Sequence, residues 1–569
     1  MNRTSPKIKT TTTDFPEGLD SGLWFVPLGG AGEIGMNLNL FACDGKWLMV
    51  DLGVTFGDDS IPGVDVVMPD PSFIAERREK LAGLVITHAH EDHIGAVAYL
   101  WPRLRCPVYC TPFTAAFLQY KLKEFGLEDE VPVTVIPLGG QAKIGPFTLD
   151  FITLTHSIPE PNALAIRTPY GTIFHTGDWK FDDDPLVGAS PDFAALKQLG
   201  EENVLALIGD STNVFTEGEA GSERDVRDSL MKLFARYTGR IVVGCFASNI
   251  ARLDSIARAA KANGREVALA GQSLWRMAET ARRTGYLAAD LNFYEAEDAA
   301  HLPRDKVLYI CTGSQGEARA AMMRIAYDSH ADISLDEGDV AIFSSRVIPG
   351  NEKAIAKLQN QLARLGVEVV TTRDHFIHVS GHPARDELRR MYQMVRPRIA
   401  IPVHGEARHI KAHAELAKEC QVPQTLQIEN GAAVKFVDGV ASVGGTVWSG
   451  RLAYEDGNLL PLNDGMLRDR KRMFYEGAVV VSVAMDADNN VTSAPLVAVL
   501  GMADPLAKSP GKSDRDWDYI ISTAVNRLPK KSRRDDDAVE ESVRSAVRKV
   551  FSPTRKPVVK VHVLRSMEG

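Results

Sequence analysis

Three histidines and an aspartate fall within six residues, His88-Ala89-His90-Glu91-Asp92-His93. Imidazole nitrogens and carboxylate oxygens at that density are a donor set for divalent metal, with zinc favoured and manganese or magnesium as alternatives. The bland reading is a polar loop in which histidines happen to cluster. With 14 histidines in 569 residues, chance is a poor explanation. His88 and His90 stand two apart, so in extended backbone their imidazoles leave the chain on the same side. Asp92 and His93 are adjacent where the chain turns toward a helix, so they reach a second point beside the first. The spacing suits two metal ions rather than one. A zincin helix needs two histidines four apart with a glutamate between them, and that pattern is missing.

The elements that must hold these groups follow from the apolar pattern. Leu84-Val85-Ile86-Thr87 reads as a buried strand ahead of the cluster, and Gly95-Ala96-Val97-Ala98-Tyr99-Leu100 as the opening of a helix after it. Three more strands end on residues of ligand type: residues 151–155 on His156, residues 172–177 on Asp178, and residues 400–403 on His404. One such residue at a strand end is ordinarily structural; with the first stretch they complete two metal shells. Asp210 closes Ala206-Leu207-Ile208-Gly209, where it either orients a metal-bound imidazole or caps a turn. Ser248 and Asn249 sit where a strand meets a helix N-terminus, a position that presents N–H groups to anions but also calls for plain capping. His378-Val379-Ser380-Gly381-His382 brings two imidazoles and a hydroxyl close together. His378 is a candidate proton donor or general acid.

A second motif is a decoy. Gly30-Ala31-Gly32-Glu33-Ile34-Gly35 follows a strand and matches GxGxxG, with Asp51 at the distance of a dinucleotide-binding acid. That fingerprint needs a helix next. Alternation about Asp44-Gly45 instead reads as a β-hairpin, so no dinucleotide site is expected. Asp51 then becomes a residue beside the metals, or a turn former.

The length allows roughly four domain-sized units. A composition of 44% hydrophobic and 24% charged residues is that of a globular protein. No apolar run reaches about 18 residues, so no membrane span is expected. Residues 1–20 read as a disordered tail with no secretory signal. The six cysteines are scattered without a CxxC pair, which fits a reducing cytoplasm. A net charge of −9 argues against a surface coated in nucleic acid, though not against a local basic channel. From 215 to 372 the chain reads as β-α repeats forming a parallel sheet with helices on both faces. From Ala478 a further set of strands and helices begins. The basic run 527–534, followed by Asp535-Asp536-Asp537, reads as a solvated, self-neutralising face.

The stretch from His88 to His93, behind its strand, resembles the HxHxDH signature of the metallo-β-lactamase superfamily. An insertion between Asp178 and His404 resembles its β-CASP subgroup, whose members cut nucleic acids. The detailed likeness is to the bacterial ribonuclease J family. It rests on residues 27–37, Thr87 to Gly95, Gly209-Asp210-Ser211-Thr212, Phe246-Ala247-Ser248-Asn249, residues 344–351, residues 378–382 and residues 401–406. The resemblance implies an α/β architecture: a metallo-β-lactamase αββα sandwich (21–214 and 373–450) interrupted by a β-CASP parallel-sheet domain (215–372). A linker (451–477) and a small C-terminal α/β domain (478–569) would follow.

The same resemblance implies two zinc ions per chain. His88, His90 and His156 hold one, Asp92, His93 and His404 the other, and Asp178 bridges both. It puts the terminal nucleotide and its 5′-phosphate against Ala247, Ser248 and Asn249 and against His378, Val379, Ser380, Gly381 and His382. Asp178, His378 and Asp210 would carry the chemistry. The implied activity is 5′-to-3′ degradation of single-stranded RNA to mononucleotides, with some internal cutting, in RNA decay and maturation. The C-terminal domain would support a homodimer or homotetramer, with no membrane partner. The competing readings are a β-CASP nuclease acting on DNA, a small-molecule metallohydrolase and a non-catalytic RNA-binding scaffold. An inserted domain is superfluous for a small substrate, and an intact ligand set is superfluous for a scaffold.

Overall fold

The computed structural model describes residues 15–58, 60–507, 516–553 and 555–565. Up to residue 14, the expected N-terminal tail lies outside the described residues. The chain divides into two compact units, residues 1–55 with 68–450 and residues 56–67 with 451–569.

In the first unit, period-two alternation builds a sandwich. An eight-stranded sheet contains Leu23–Gly29, Leu38–Cys43, Lys46–Val50 and Leu81–Val85 as neighbours in that order. A seven-stranded sheet contains Phe147–Thr153, Asn162–Thr168, Gly171–His175, Ala206–Asp210 and Ile399–Val403, also in that order. Phe25, Phe41 and Val50 of one sheet share a buried core with Phe151, Leu164 and Ile208 of the other. On the seven-stranded sheet the intervening residues Ala163, Ala165 and Leu207 turn to the opposite face. There they pack against Leu196 and Leu199 of helix Phe193–Glu201 and Leu388 and Met391 of helix Arg385–Val395. The layers are those of an αββα sandwich.

The inserted region enters at one point of this sheet and leaves beside it. Ala206–Asp210 and Ile399–Val403 are parallel neighbours, with Asp210 opposite Val403. The intervening chain forms a six-stranded sheet in which every pairing is parallel. Its central strands, Ile241–Gly244 and Val307–Cys311, are buried throughout, as expected of strands covered on both faces. The return to the sandwich so close to the point of departure brings Asp210 and His404 out side by side.

The second unit corrects the expectation of a linker. Arg451–Glu455 pairs antiparallel with Asn458–Pro461 about Asp456-Gly457, and helix Gly465–Glu476 follows, capped by the Asp464 carboxylate accepting from Met466 N–H. The hairpin is two short strands, and its Asp-Gly turn is the only strong local signal. Packing also assigns residues 56–67 to this unit rather than to the sandwich. Its three-stranded sheet, ordered Leu496–Leu500, Ala478–Met485, Val558–Arg565, buries Val479, Val481, Val483 and Val561 against Val525, Val543 and Val547 of two helices. Among the described residues no helix is long and apolar enough to cross a membrane. All six cysteines are free thiols.

Candidate metal centre

The centre starts from Asp51, wholly buried at the end of Lys46–Val50 with φ +64°. Its carboxylate accepts from Thr87 N–H (2.8 Å), the Thr87 hydroxyl (2.9 Å) and His93 Nδ1–H (2.7 Å). One acid therefore anchors both ends of the histidine stretch. Gly53 lets the stretch approach, since a Cβ there would fall 1.7 Å from the Asp92 carbonyl oxygen.

Hydrogen bonds behind the rings then decide which nitrogens face inward. The Thr87 hydroxyl donates to Asp51, so it accepts from His88 Nδ1–H (3.0 Å) and leaves Nε2 as a lone pair. His156 Nδ1–H donates to the Gly381 carbonyl (2.5 Å), with the same result. Gly381 has no room for a side chain, because a Cβ would meet the His156 ring at 2.7 Å. His88 Nε2 and His156 Nε2 each lie 3.0 Å from His90 Nδ1. Burial drives His88 and His156 well below the ordinary imidazole range, and His90 down to about 4. Neutral nitrogens converging this closely need a shared electrophile, and the donor set fits a divalent cation.

A second group faces the first across Asp178. Asp92 Oδ2 is 3.1 Å from His404 Nε2, and His93 Nε2 is 3.2 Å from Asp178 Oδ2. The Asp178 carboxylate also lies 3.8 Å from His88, 3.9 Å from His156 and 3.5 Å from His404. Ligand atoms of His88, His90, His156 and Asp178, and of Asp92, His93, Asp178 and His404, lie within 4.8 Å of one another in each group. Burial raises the Asp178 carboxyl, but the imidazoles of His404, His93 and His382 outweigh it and hold the acid well below its usual range. Burial likewise lowers His93, and the carboxylates of Asp178, Asp92 and Asp51 lift it well above 6.5 instead.

Asp210 performs both tasks that its position allows. Oδ1 accepts from Thr212 N–H (2.9 Å) and stands 3.4 Å from His404 Nδ1, while Oδ2 accepts from His382 Nδ1–H (2.8 Å). His382, not His378, is the imidazole that joins the centre, grouping with Asp178, Asp210 and His404. Its ring lies 4.9 Å from that of His156 and stacks at 5.7 Å on that of His404. Burial lowers its pKa, and the charges of Asp210 and Asp178 more than restore it. His378 belongs to none of these groups; its Nδ1 is 3.3 Å from the Arg252 guanidinium. Burial, with Arg252, Arg346 and Lys180 nearby, holds it well below the ordinary range and hence neutral.

Beside His156 opens a small cleft that Lys180, Asn249, Val379, Ser380 and Gly381 help to line. Ser380 Oγ accepts from Asn213 Nδ2 (2.7 Å) and His382 N–H (3.1 Å). Asn249 caps helix Ile250–Ala262 by accepting from Arg252 N–H (2.9 Å). Ala247 and Ser248 are half-buried beside it and do not line the cleft. Arg252, fully buried, is bidentate to Glu223 (2.6 and 2.9 Å) and donates to the Ser344 and Ile377 carbonyls. It thereby ties the inserted sheet to the 378–382 loop. Neither Arg252 nor the Gly381 carbonyl has a sequence signature; a buried arginine reads as an ordinary helix residue until its partners are known.

The glycine motif has its explanation here too. The Gly30 carbonyl accepts from His404 N–H (2.6 Å) and Gly35 N–H points at His404 Nε2 (3.3 Å), so this loop holds a histidine. Strand Leu38–Cys43 follows it, as the rejection of a dinucleotide site required.

Comparison with known proteins agrees with this architecture. Family models match for "Metallo-beta-lactamase superfamily" over residues 39–242 and "Ribonuclease J, beta-CASP domain" over 238–362. "Zn-dependent metallo-hydrolase RNA specificity domain" matches 350–425 and "Ribonuclease J C-terminal domain" 465–566. The chain is 43% identical to ribonuclease J of Sinorhizobium meliloti over 96% of this chain and 98% of that protein. It is 35% identical to ribonuclease J 1 of Streptococcus pyogenes, over 94% and 96% of the two chains. A structure of a protein of unknown function from Enterococcus faecalis shares the fold at TM-score 0.50 and 16% identity, covering 73% of this chain and all of that one. Identity of that extent, spread over the sandwich, the inserted sheet and the C-terminal unit alike, means that the chain belongs to the ribonuclease J family, within the β-CASP subgroup of the metallo-β-lactamase superfamily.

Proposed function

We infer that this protein is a metal-dependent ribonuclease that degrades single-stranded RNA from its 5′ end and also cuts internally. The observation that carries the reading is the pair of His/Asp groups sharing Asp178, in a chain 43% identical to a ribonuclease J over 96% of its length. His88, His90 and His156 would hold one zinc, Asp92, His93 and His404 a second, with Asp178 between them. Two such cations, when bound, supply Lewis acidity toward water and toward the phosphoryl oxygens. The chain's own residues do the rest. Asp51, Thr87 and Gly381 hold the ring tautomers that point lone pairs inward. His382, its pKa lifted above the ordinary imidazole value by Asp210 and Asp178 against the effect of burial, would donate a proton to the leaving oxygen. This role passes to it from His378, whose neutral ring beside Arg252 suits holding the loop.

The cleft beside His156 supports 5′-end recognition. Ser380 presents a hydroxyl, and Lys180, with its Nζ 3.3 Å from Asp182, brings a buried cation to the wall. Asn249 lines this cleft with its amide oxygen engaged in capping, while Ser248 stands outside it. The test is initial rates on one RNA carrying a 5′-monophosphate, 5′-triphosphate or 5′-hydroxyl. The monophosphate should be degraded fastest, about tenfold or more over the hydroxyl, the worth of one charge-assisted hydrogen bond. Equal rates on all three would end the 5′-pocket reading. Activity on DNA alone would replace it with a DNA nuclease. The protein would act in the cytoplasm as a homodimer or homotetramer assembled through residues 478–569. Light scattering on a chain ending at Gly477 should give a smaller assembly; an unchanged one would refute that role.

A further inference from the structure

On the His404 side of the centre the turn that carries Asp210 continues into an exposed aromatic. Thr212 lies 2.9 Å from His404 Nδ1, Asn213 bonds Ser380, and Phe215 follows with 53% of its surface exposed. Nothing in the sandwich core needs this ring. It sits instead against residues from the helix that follows His404. The Arg408 guanidinium is over its ring at 5.6 Å, and the His409 ring lies 5.0 Å away. The Arg408 side chain is itself 63% exposed and pairs with the exposed Glu406 at 3.2 Å. His409 is buried, and its Nδ1 has no hydrogen-bond partner among the described residues, with Glu406 at 3.9 Å. It thus backs the aromatic as packing rather than as part of a polar network. From the inserted sheet, Arg346 donates to the Asn213 amide oxygen and adds a second cation to this rim.

A chain of net charge −9 has here an exposed phenyl ring, an exposed guanidinium and a further arginine within a few residues of the catalytic turn. We propose that Phe215 and Arg408 form a stacking platform for one nucleobase of the RNA strand on the His404 side of the centre. Base faces stack on aromatic rings and on guanidinium planes whatever the sequence, while nearby cations hold the phosphates. The platform would therefore add grip without base preference, as an enzyme that degrades mixed sequences requires. Its occupant is an unpaired base, because a base within a duplex has both faces covered.

The proposal rests on the ribonuclease reading, and the experiment separates the two. Single-stranded RNAs carrying one abasic residue at successive positions are offered to the metal-loaded, full-length protein, and KM is measured for each. The parent should show about a tenfold rise in KM when one particular base is missing, the loss expected for one stacked base. Phe215→Ala should raise KM for intact RNA by a similar factor and abolish the dependence on that base, and Phe215→Trp should restore both. Arg408→Ala should give a smaller change of the same kind. A parent that degrades RNA with no position-dependent loss, or a Phe215→Ala protein that keeps it, overturns the platform. No hydrolysis of any RNA by the parent overturns the ribonuclease reading instead.

Discussion

The two sides of Asp178 use the same residue types at the same depth and end with opposite electrostatics. On the side of His88, His90 and His156, the rings are backed by a hydroxyl and a backbone carbonyl, and burial strips them of protons. On the side of His93 and His404, carboxylates stand behind or beside each ring and hold it well above the ordinary range. The first side is a set of neutral lone pairs; the second is dense in charge. What a histidine offers a metal is thus set by the group behind it. A carboxylate at the distal nitrogen makes the imidazole a stronger donor, and a carbonyl or hydroxyl orients it without that gain.

Removing what the two sides share should have the largest effect. Asp178→Asn weakens a ligand common to both groups, so elemental analysis should find fewer than two metals per chain and RNA cleavage should fall roughly a thousandfold or more. Near-normal activity at full metal content would mean that the sides do not meet at Asp178.

A smaller loss is expected where the charged side meets the substrate. His382→Ala should cost about a hundredfold or more in kcat as a lost general acid, while His378→Ala should cost less and appear mainly in KM. The reverse order would return the proton-donor role to His378.

The sides should also come apart in a chelator titration. Asp51→Asn withdraws the carboxylate behind His93, and Gly381→Ala forces a Cβ to within 2.7 Å of the His156 ring. Gly381→Ala should weaken one metal about 10- to 100-fold and leave the other phase of the titration in place. Asp51→Asn also removes the acceptor of the Thr87 hydroxyl behind His88, so it should shift both phases. If Gly381→Ala shifts both phases together, the centre is one cooperative unit and the comparison fails. The smallest effect is reserved for Thr212→Val, which removes a neutral hydroxyl 2.9 Å from His404 Nδ1. A net hydrogen bond of about 0.5–1.5 kcal/mol predicts no more than about a tenfold loss in kcat/KM.

Much of the fold was legible because strands and helices have periods. The hairpin through Asp44-Gly45, the repeats after 215 and the strand leading to His404 are local patterns that the structure contains. The strands ahead of His156 and Asp178, in contrast, stop at Thr153 and His175 and leave both ligands on the loops that follow. The region 451–477 was misread because two short strands and one helix with a single buried leucine show almost no period. From the sequence His378 rather than His382 reads as the proton donor, because an irregular loop has no repeat from which to infer which ring faces the centre.

By itself the sequence determined which side chains could ligate and that they cluster near strand ends, because donor chemistry and alternation are properties of a few consecutive residues. Only the tertiary structure decided which nitrogen of each ring faces inward and that Gly381 supplies a carbonyl to His156. It alone also decided that Asp210 reaches His382 and His404 together. Those bonds join residues 172 to 225 positions apart. They exist because strands Ala206–Asp210 and Ile399–Val403 pair side by side across an entire inserted sheet, and no local pattern encodes that pairing.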